Sequence, residues 1–179
     1  KSPMYIEAKC ERKRCGPAAR GYMDGTEYYN DSGMITHETW LPIDVPHDYI
    51  IDQDNDKSQN NAHGYFHYDN AWYRKRFSLP AGCENKRVLL RFDGIAGNST
   101  IYLNGCLLHH NYSAYNTFEL DISDLVYRNK DNILAVYVNT QEFEGWWYQG
   151  GGIYRDVHLV ITEPVAIDLW GVYAPSRKI

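Results

Sequence analysis

Glu142 and Glu144 alternate along the chain just ahead of Trp146, Trp147 and Tyr148. Two carboxyl groups about 5 Å apart are what retaining hydrolysis of a glycosidic bond requires, one as acid and one as nucleophile. Nothing in the sequence marks either glutamate as an acid of raised pKa, so their expected role is a polar rim. Asp52-Gln53-Asp54-Asn55-Asp56 opens like a calcium loop, whose oxygens converge from alternate positions. Its sixth position is Lys57 where the loop needs Gly, and its twelfth is His63 where it needs Glu. It reads as a solvated acidic loop. His63 and His67 share helix spacing, but Gly64-Tyr65-Phe66 is poor helix material and further zinc ligands are not at hand. Gly150-Gly151-Gly152 lacks the Lys-Ser or Lys-Thr of a phosphate loop and leads into a strand pattern. Three glycines there suit a tight bend or a close backbone approach. No catalytic residue, metal site or cofactor is expected.

The elements that hold these residues are read from composition and periodicity. With 179 residues, 44% apolar and 23% charged, the sequence suits one soluble globular domain with an ample core. Sixteen Tyr and five Trp against five Phe supply many rings with a polar handle. Such rings suit a carbohydrate face or a domain interface, and equally suit ordinary strands. A net charge of -5, with Arg12-Lys13-Arg14 as the only dense basic run, excludes a nucleic-acid groove. No apolar run approaches the ~20 residues of a membrane span. Cys10, Cys15, Cys83 and Cys106 are too few for a disulfide scaffold; Cys10 and Cys15 are close enough to pair, and free thiols are the default. The opening Lys1-Ser2-Pro3-Met4 reads as an interior start. The expected compartment is the cytoplasm, with secretion or the periplasm as the alternative.

Residues 1 to 38 are polar, Gly-rich and without periodicity, and an irregular segment is expected there. Strands follow. Trp72 to Leu79 ends at a Pro80-Ala81-Gly82 turn, and Arg87 to Asp93 places Val88, Leu90 and Phe92 on one face. Asn104-Gly105 between two β-rich runs predicts a hairpin whose turn positions need positive φ. Thr117 to Leu120 is a short strand, and Asp121 to Leu125 one capped helical turn. Ile133 to Val138, apolar throughout, suits a strand buried on both faces. Ile153 to Ile161 alternates, and Val165 to Tyr173 is expected to form a last strand. These strands predict an all-β, two-sheet β-sandwich or jelly roll over 39–174, with 175–179 a linker.

Several segments, in order, resemble the N-terminal domain of family 2 glycoside hydrolases of the β-galactosidase type. They are Trp40-Leu-Pro-Ile-Asp-Val-Pro-His-Asp48-Tyr49, Gly64-Tyr65 with Ala71-Trp-Tyr-Arg-Lys-Arg-Phe77, Phe92-Asp-Gly94, Leu103-Asn-Gly105 and Asn132 to Val138. Trp147-Tyr-Gln-Gly-Gly-Gly-Ile-Tyr-Arg155-Asp-Val157 is similar to the family's closing element. The resemblance implies a galactose-binding-domain-like jelly roll packed against an immunoglobulin-like domain and a (β/α)₈ barrel. Both catalytic glutamates would lie in that barrel, and this domain would lend loops to the rim of the sugar pocket. Some members place an Asp, which contacts galactose or a sodium ion, ahead of the closing element; here that position is Trp146, so no metal site is carried over. Phe66 to Asn70 also departs from the family's glycine-rich stretch.

The candidate substrate-binding residues are Asp48, Trp147 and Tyr148. Asp48 either accepts hydrogen bonds from sugar hydroxyls or satisfies a turn. Trp147 and Tyr148 either stack on a sugar face or pack between domains. Arg155 is expected in a strand, making a buried ion pair or an interface contact. The chain is thus expected to be an accessory domain without catalysis of its own, with a β-galactoside-like carbohydrate and the remaining domains of a parent enzyme as partners. A β-glucuronide or β-mannoside specificity is equally open, and a free-standing carbohydrate-binding module is the alternative class.

Overall fold

The computed structural model describes residues 27–29, 35–37, 42–142 and 145–177. Within the stretch expected to be irregular, Glu27–Tyr29 (β1) and Ile35–His37 (β2) pair as two short antiparallel strands. Cys10 and Cys15 lie outside the described residues.

Seven further strands follow: Ala71–Phe77 (β3), Arg87–Phe92 (β4), Asn98–Leu103 (β5), Cys106–Asn111 (β6), Phe118–Asp121 (β7), Asn132–Asn139 (β8) and Val157–Thr162 (β9). They form two antiparallel sheets, ordered β3-β8-β5-β6 and β7-β4-β9. The chain passes repeatedly from one sheet to the other, which is the winding of a sandwich closed by jelly-roll crossings. Among the described residues no helix is long and apolar enough to cross a membrane.

Alternation builds the core. Val88, Leu90 and Phe92 of β4 meet Ile101 and Leu103 of β5 and Leu134, Val136 and Val138 of β8, all buried. The other face of strand β8 is covered too, by rings from its neighbours β3 and β5 and from β8 itself: Ala135 is buried against Trp72, Tyr102 and Tyr137. This is why its sequence shows no polar alternation. Asn104 and Gly105 take φ of 53° and 83°, closing the predicted β5–β6 hairpin. The Asn104 side chain then caps the end of the β5–β8 ladder, accepting the Ile133 N–H at 3.0 Å and donating to Asn132 Oδ1 at 2.9 Å. Asp121 Oδ1 accepts the Ser123 N–H at 3.0 Å, and Val126 N–H reaches Ile122 O at 2.9 Å, the expected capped turn.

The expected last strand does not form. Pro164 cannot donate to a ladder, and Asp168 to Gly171 close a turn (Gly171 N to Asp168 O, 2.9 Å) with Trp170 at φ 59°. The segment instead crosses the outer face of the three-stranded sheet. Arg87 Nη1 holds Asp168 at 2.6 Å, and a cavity of about 310 Å³ lies between Leu89, Phe118, Leu169 and Trp170. Leu89, on the face of β4 away from the core, is buried all the same. Val165, Ile167, Trp170, Val172 and Tyr173 remain exposed, Trp170 at 83%.

Candidate functional site

Strands β3 and β8 are antiparallel neighbours with Ala71 opposite Val138. The loop entering β3 and the loop leaving β8 therefore emerge at the same end of the sandwich. A third segment, 46–53, is fastened there by backbone bonds from His47 N to Ile153 O (2.7 Å) and Tyr49 N to Gly151 O (3.0 Å). These loops bring Asp48, Trp147 and Tyr148 to one end of the molecule.

The glycine run makes the approach possible. A Cβ on Gly150 would sit 2.6 Å from Asp48 Oδ2, and one on Gly151 2.7 Å from Ile50 Cγ1. On Gly152, at φ 123°, it would lie 2.2 Å from the Tyr73 hydroxyl and 2.8 Å from His47 O. Of the two expectations for this run, the close backbone approach is the one met, and Gly152 pairs with Ala96 in an isolated bridge.

Asp48 has every donor it needs from protein. Its Oδ1 accepts the N–H of Ile50 at 2.9 Å and of Gly151 at 3.0 Å, and its Oδ2 accepts the Tyr148 hydroxyl at 2.7 Å. Burial, and then the adjoining carboxylate, push the Tyr148 phenol above the ordinary tyrosine range. The Tyr148 ring meets Phe66 at 5.4 Å and Tyr68 at 6.4 Å between centroids. Tyr68 in turn accepts the Gln149 N–H at 3.2 Å, and its own phenol is raised by burial. Trp146 and Trp147 extend outward, 90% and 55% exposed.

The other candidates resolve one by one. His63 ends a single 3-10 turn, Asn61–His63, and its Nε2 donates to Gly145 O at 2.8 Å, tying the two loops together. Asp52 meets His47 Nε2 at 3.1 Å, and His47 Nδ1 meets the Tyr73 hydroxyl at 2.8 Å. Asp56 accepts the Ser58 N–H, which holds its carboxyl below the usual range. Glu142 is exposed and accepts from Asn98 at 3.0 Å, while Glu144 lies outside the described residues. The expected place of Arg155 is corrected: it precedes β9, is exposed, and reaches the carbonyls of Asp93 and Tyr115 at 3.3 and 3.4 Å. Among the described residues the one group with metal-ligand geometry is Asp93, Asp156 and His158, where β4 ends and β9 begins. Asp93 is already engaged there by His158 at 3.1 Å and by the Arg91 guanidinium at 3.4 Å.

Two supports of this end were not singled out from sequence. Tyr49 donates to Asp69 O at 2.7 Å and adjoins Thr140 Oγ1 at 3.0 Å, which fixes the first loop to the end of β8. Tyr68 seats the aromatic loop, and the only signal for it was an aromatic-rich stretch where the family has glycines. The end as a whole is acidic: residues 42–70 and the described part of 139–152 carry Asp44, Asp48, Asp52, Asp54, Asp56, Asp69 and Glu142 against Lys57.

By architecture the chain is an all-β, two-sheet sandwich domain with aromatic loops gathered at one end. The sequence family described as glycosyl hydrolase 2 galactose-binding domain-like matches residues 34–147, and the chain belongs to it. The β-galactosidase BoGH2A of Bacteroides ovatus is 32% identical over 143 residues, 78% of this chain and 17% of that protein. A β-glucuronidase of Formosa agariphila is 30% identical over 162 residues, 79% of this chain and 15% of that protein. The crystal structure of a β-glycosidase from Bacteroides vulgatus superposes with a TM-score of 0.63 at 31% identity, covering 79% of this chain and 18% of that one. The chain thus spans about one sixth of the length of the curated relatives it matches.

Proposed function

We propose that this chain is the accessory, sugar-facing domain of a larger glycoside hydrolase acting on terminal β-glycosides, without hydrolytic activity of its own. Its partners are the remaining domains of that enzyme, which supply the catalytic carboxylates, and a β-galactoside-like or β-glucuronide-like carbohydrate. The observation that carries this reading is the meeting of Trp147, Tyr148 and Asp48 at the loop end, in a chain that matches only a sixth of its relatives. Exposed rings beside a polar rim suit the apolar face and the hydroxyls of a sugar.

The lone rim gives weak affinity. One or two neutral hydrogen bonds net about 1 kcal/mol each, whereas association costs roughly 4 kcal/mol or more. Calorimetry or NMR titration of residues 1–179 with galactose and lactose should give millimolar affinity or weaker, and nitrophenyl-β-galactoside should not turn over. Turnover that survives repurification and disappears on Glu142→Gln or Glu144→Gln would defeat the accessory reading. A dissociation constant in the tens of micromolar range, lost on Trp147→Ala, would instead identify an autonomous carbohydrate-binding module.

A further inference from the structure

Asp48 is one of seven carboxylates at the loop end, yet its hydrogen-bonding capacity is turned inward. Of the roughly four lone-pair sites on a carboxylate, three are taken by Ile50 N–H, Gly151 N–H and the Tyr148 hydroxyl. The Gly150 backbone closes over Oδ2, since even a methyl group there would lie 2.6 Å away. Two of these three partners belong to the loop about a hundred residues downstream. The rings of that loop are exposed at Trp146 and Trp147, the Trp147 ring lying over the Gly145 backbone.

We propose that Asp48 is a positioning residue: it latches the 145–151 loop through Tyr148 and Gly151, and acts on a bound sugar only through the rings that loop presents. This rests on the sugar-facing reading of the loop end. Charge makes the latch firm, because a hydrogen bond to an ionised acceptor is roughly twice as strong as a neutral one. It also sets a direction. Tyr148 spends its proton on Asp48, so its hydroxyl offers a sugar only an acceptor, and its ring face is the surface left for stacking.

The test uses residues 1–179 carrying Asp48→Asn, Tyr148→Phe and both together. Asp48→Asn keeps a carbonyl oxygen for the two amides but turns an NH₂ toward Tyr148. Tyr148→Phe leaves the turn at Asp48 intact, so it remains informative if the Asn variant folds poorly. Without ligand, the indole N–H resonances of Trp146 and Trp147 should move in both single variants, and the double variant should match either single one. In titrations with methyl β-galactoside and methyl β-glucuronide, each single variant should weaken binding about tenfold, the loss of one charge-assisted hydrogen bond, and the double should weaken it no further. Indole signals unmoved by either substitution overturn the latch. A loss of affinity in Asp48→Asn with none in Tyr148→Phe also overturns it, because Asp48 would then be touching the sugar. Coupled indole shifts in a protein whose signals never respond to either glycoside, however concentrated, support the latch and defeat the sugar-facing reading.

Discussion

Gly152 and Gly82 both sit at positive φ, 123° and 84°, but in opposite surroundings. A Cβ at Gly82 meets nothing within 4 Å, whereas at Gly152 it lies 2.2 Å from the Tyr73 hydroxyl and 2.8 Å from His47 O. Alanine at Gly82 should cost only backbone strain, about 1–2 kcal/mol. Alanine at Gly152 adds overpacking, about 1–3 kcal/mol. The Tyr73 ring packs against the core and its hydroxyl holds His47, so the clash cannot be relieved by a free side-chain end. The total for Gly152→Ala is then about 2–5 kcal/mol, and the difference between the two variants isolates the close approach from the backbone. In urea, with a slope near 2 kcal/mol per molar for a domain of this size, the Gly152 variant should lose about 1–2.5 M of midpoint. The Gly82 variant should lose about half that or less. Equal midpoints for the two variants would show that the loop does not press on Tyr73 and His47 as described.

Gly105→Val forces a β-branched residue to the φ of 83° at the β5–β6 turn, and chemical denaturation should show a loss of about 1–3 kcal/mol; an unchanged midpoint would mean a different turn. Tyr148 is raised by burial and by Asp48, so the folded state favours its neutral form. That contribution is present below the unfolded value of about 10 and is lost as pH rises through the folded one. Asp48→Asn should bring phenolate absorbance in at lower pH than in wild type, while still above ordinary tyrosine. Asp121 is lowered by Ser123 and Arg87, so its contribution is present above the unfolded value of about 3.9 and is lost as pH falls through the folded one. Asp121→Asn should accordingly be less stable than wild type at neutral pH, and the two stability curves should converge in acid.

What the sequence revealed was what short-range sterics and burial decide. Val88, Leu90 and Phe92 alternate because one face of β4 is core, and Asn104-Gly105 turns because few other pairs tolerate two positive φ values. Val165 to Tyr173 shows the same alternation as a strand and forms none, because a ladder also needs a partner edge, which local pattern cannot supply. At the loop end, residue types drew attention to Asp48, Trp147 and Tyr148. The role of Asp48 became visible only with its bonds to Tyr148 and Gly151, 100 and 103 residues away. The glycine run announced a close approach without naming its object. Asp48, Ile50 and Tyr73 are those objects, and they come from two segments far upstream.

The segment after Pro164 leaves Val165, Ile167, Trp170, Val172 and Tyr173 in water, anchored mainly by Asp168 on Arg87. By thermodynamic linkage, anything that covers those side chains in the folded state but not in the unfolded one raises the free energy of unfolding by RT ln(1 + [L]/Kd). Each 100 Å² of apolar surface so covered is worth about 2.5 kcal/mol before the entropy of association is subtracted. A denaturation midpoint measured on residues 1–179 is therefore a floor, and the same sandwich within a longer polypeptide that shields this segment should unfold at a higher denaturant concentration.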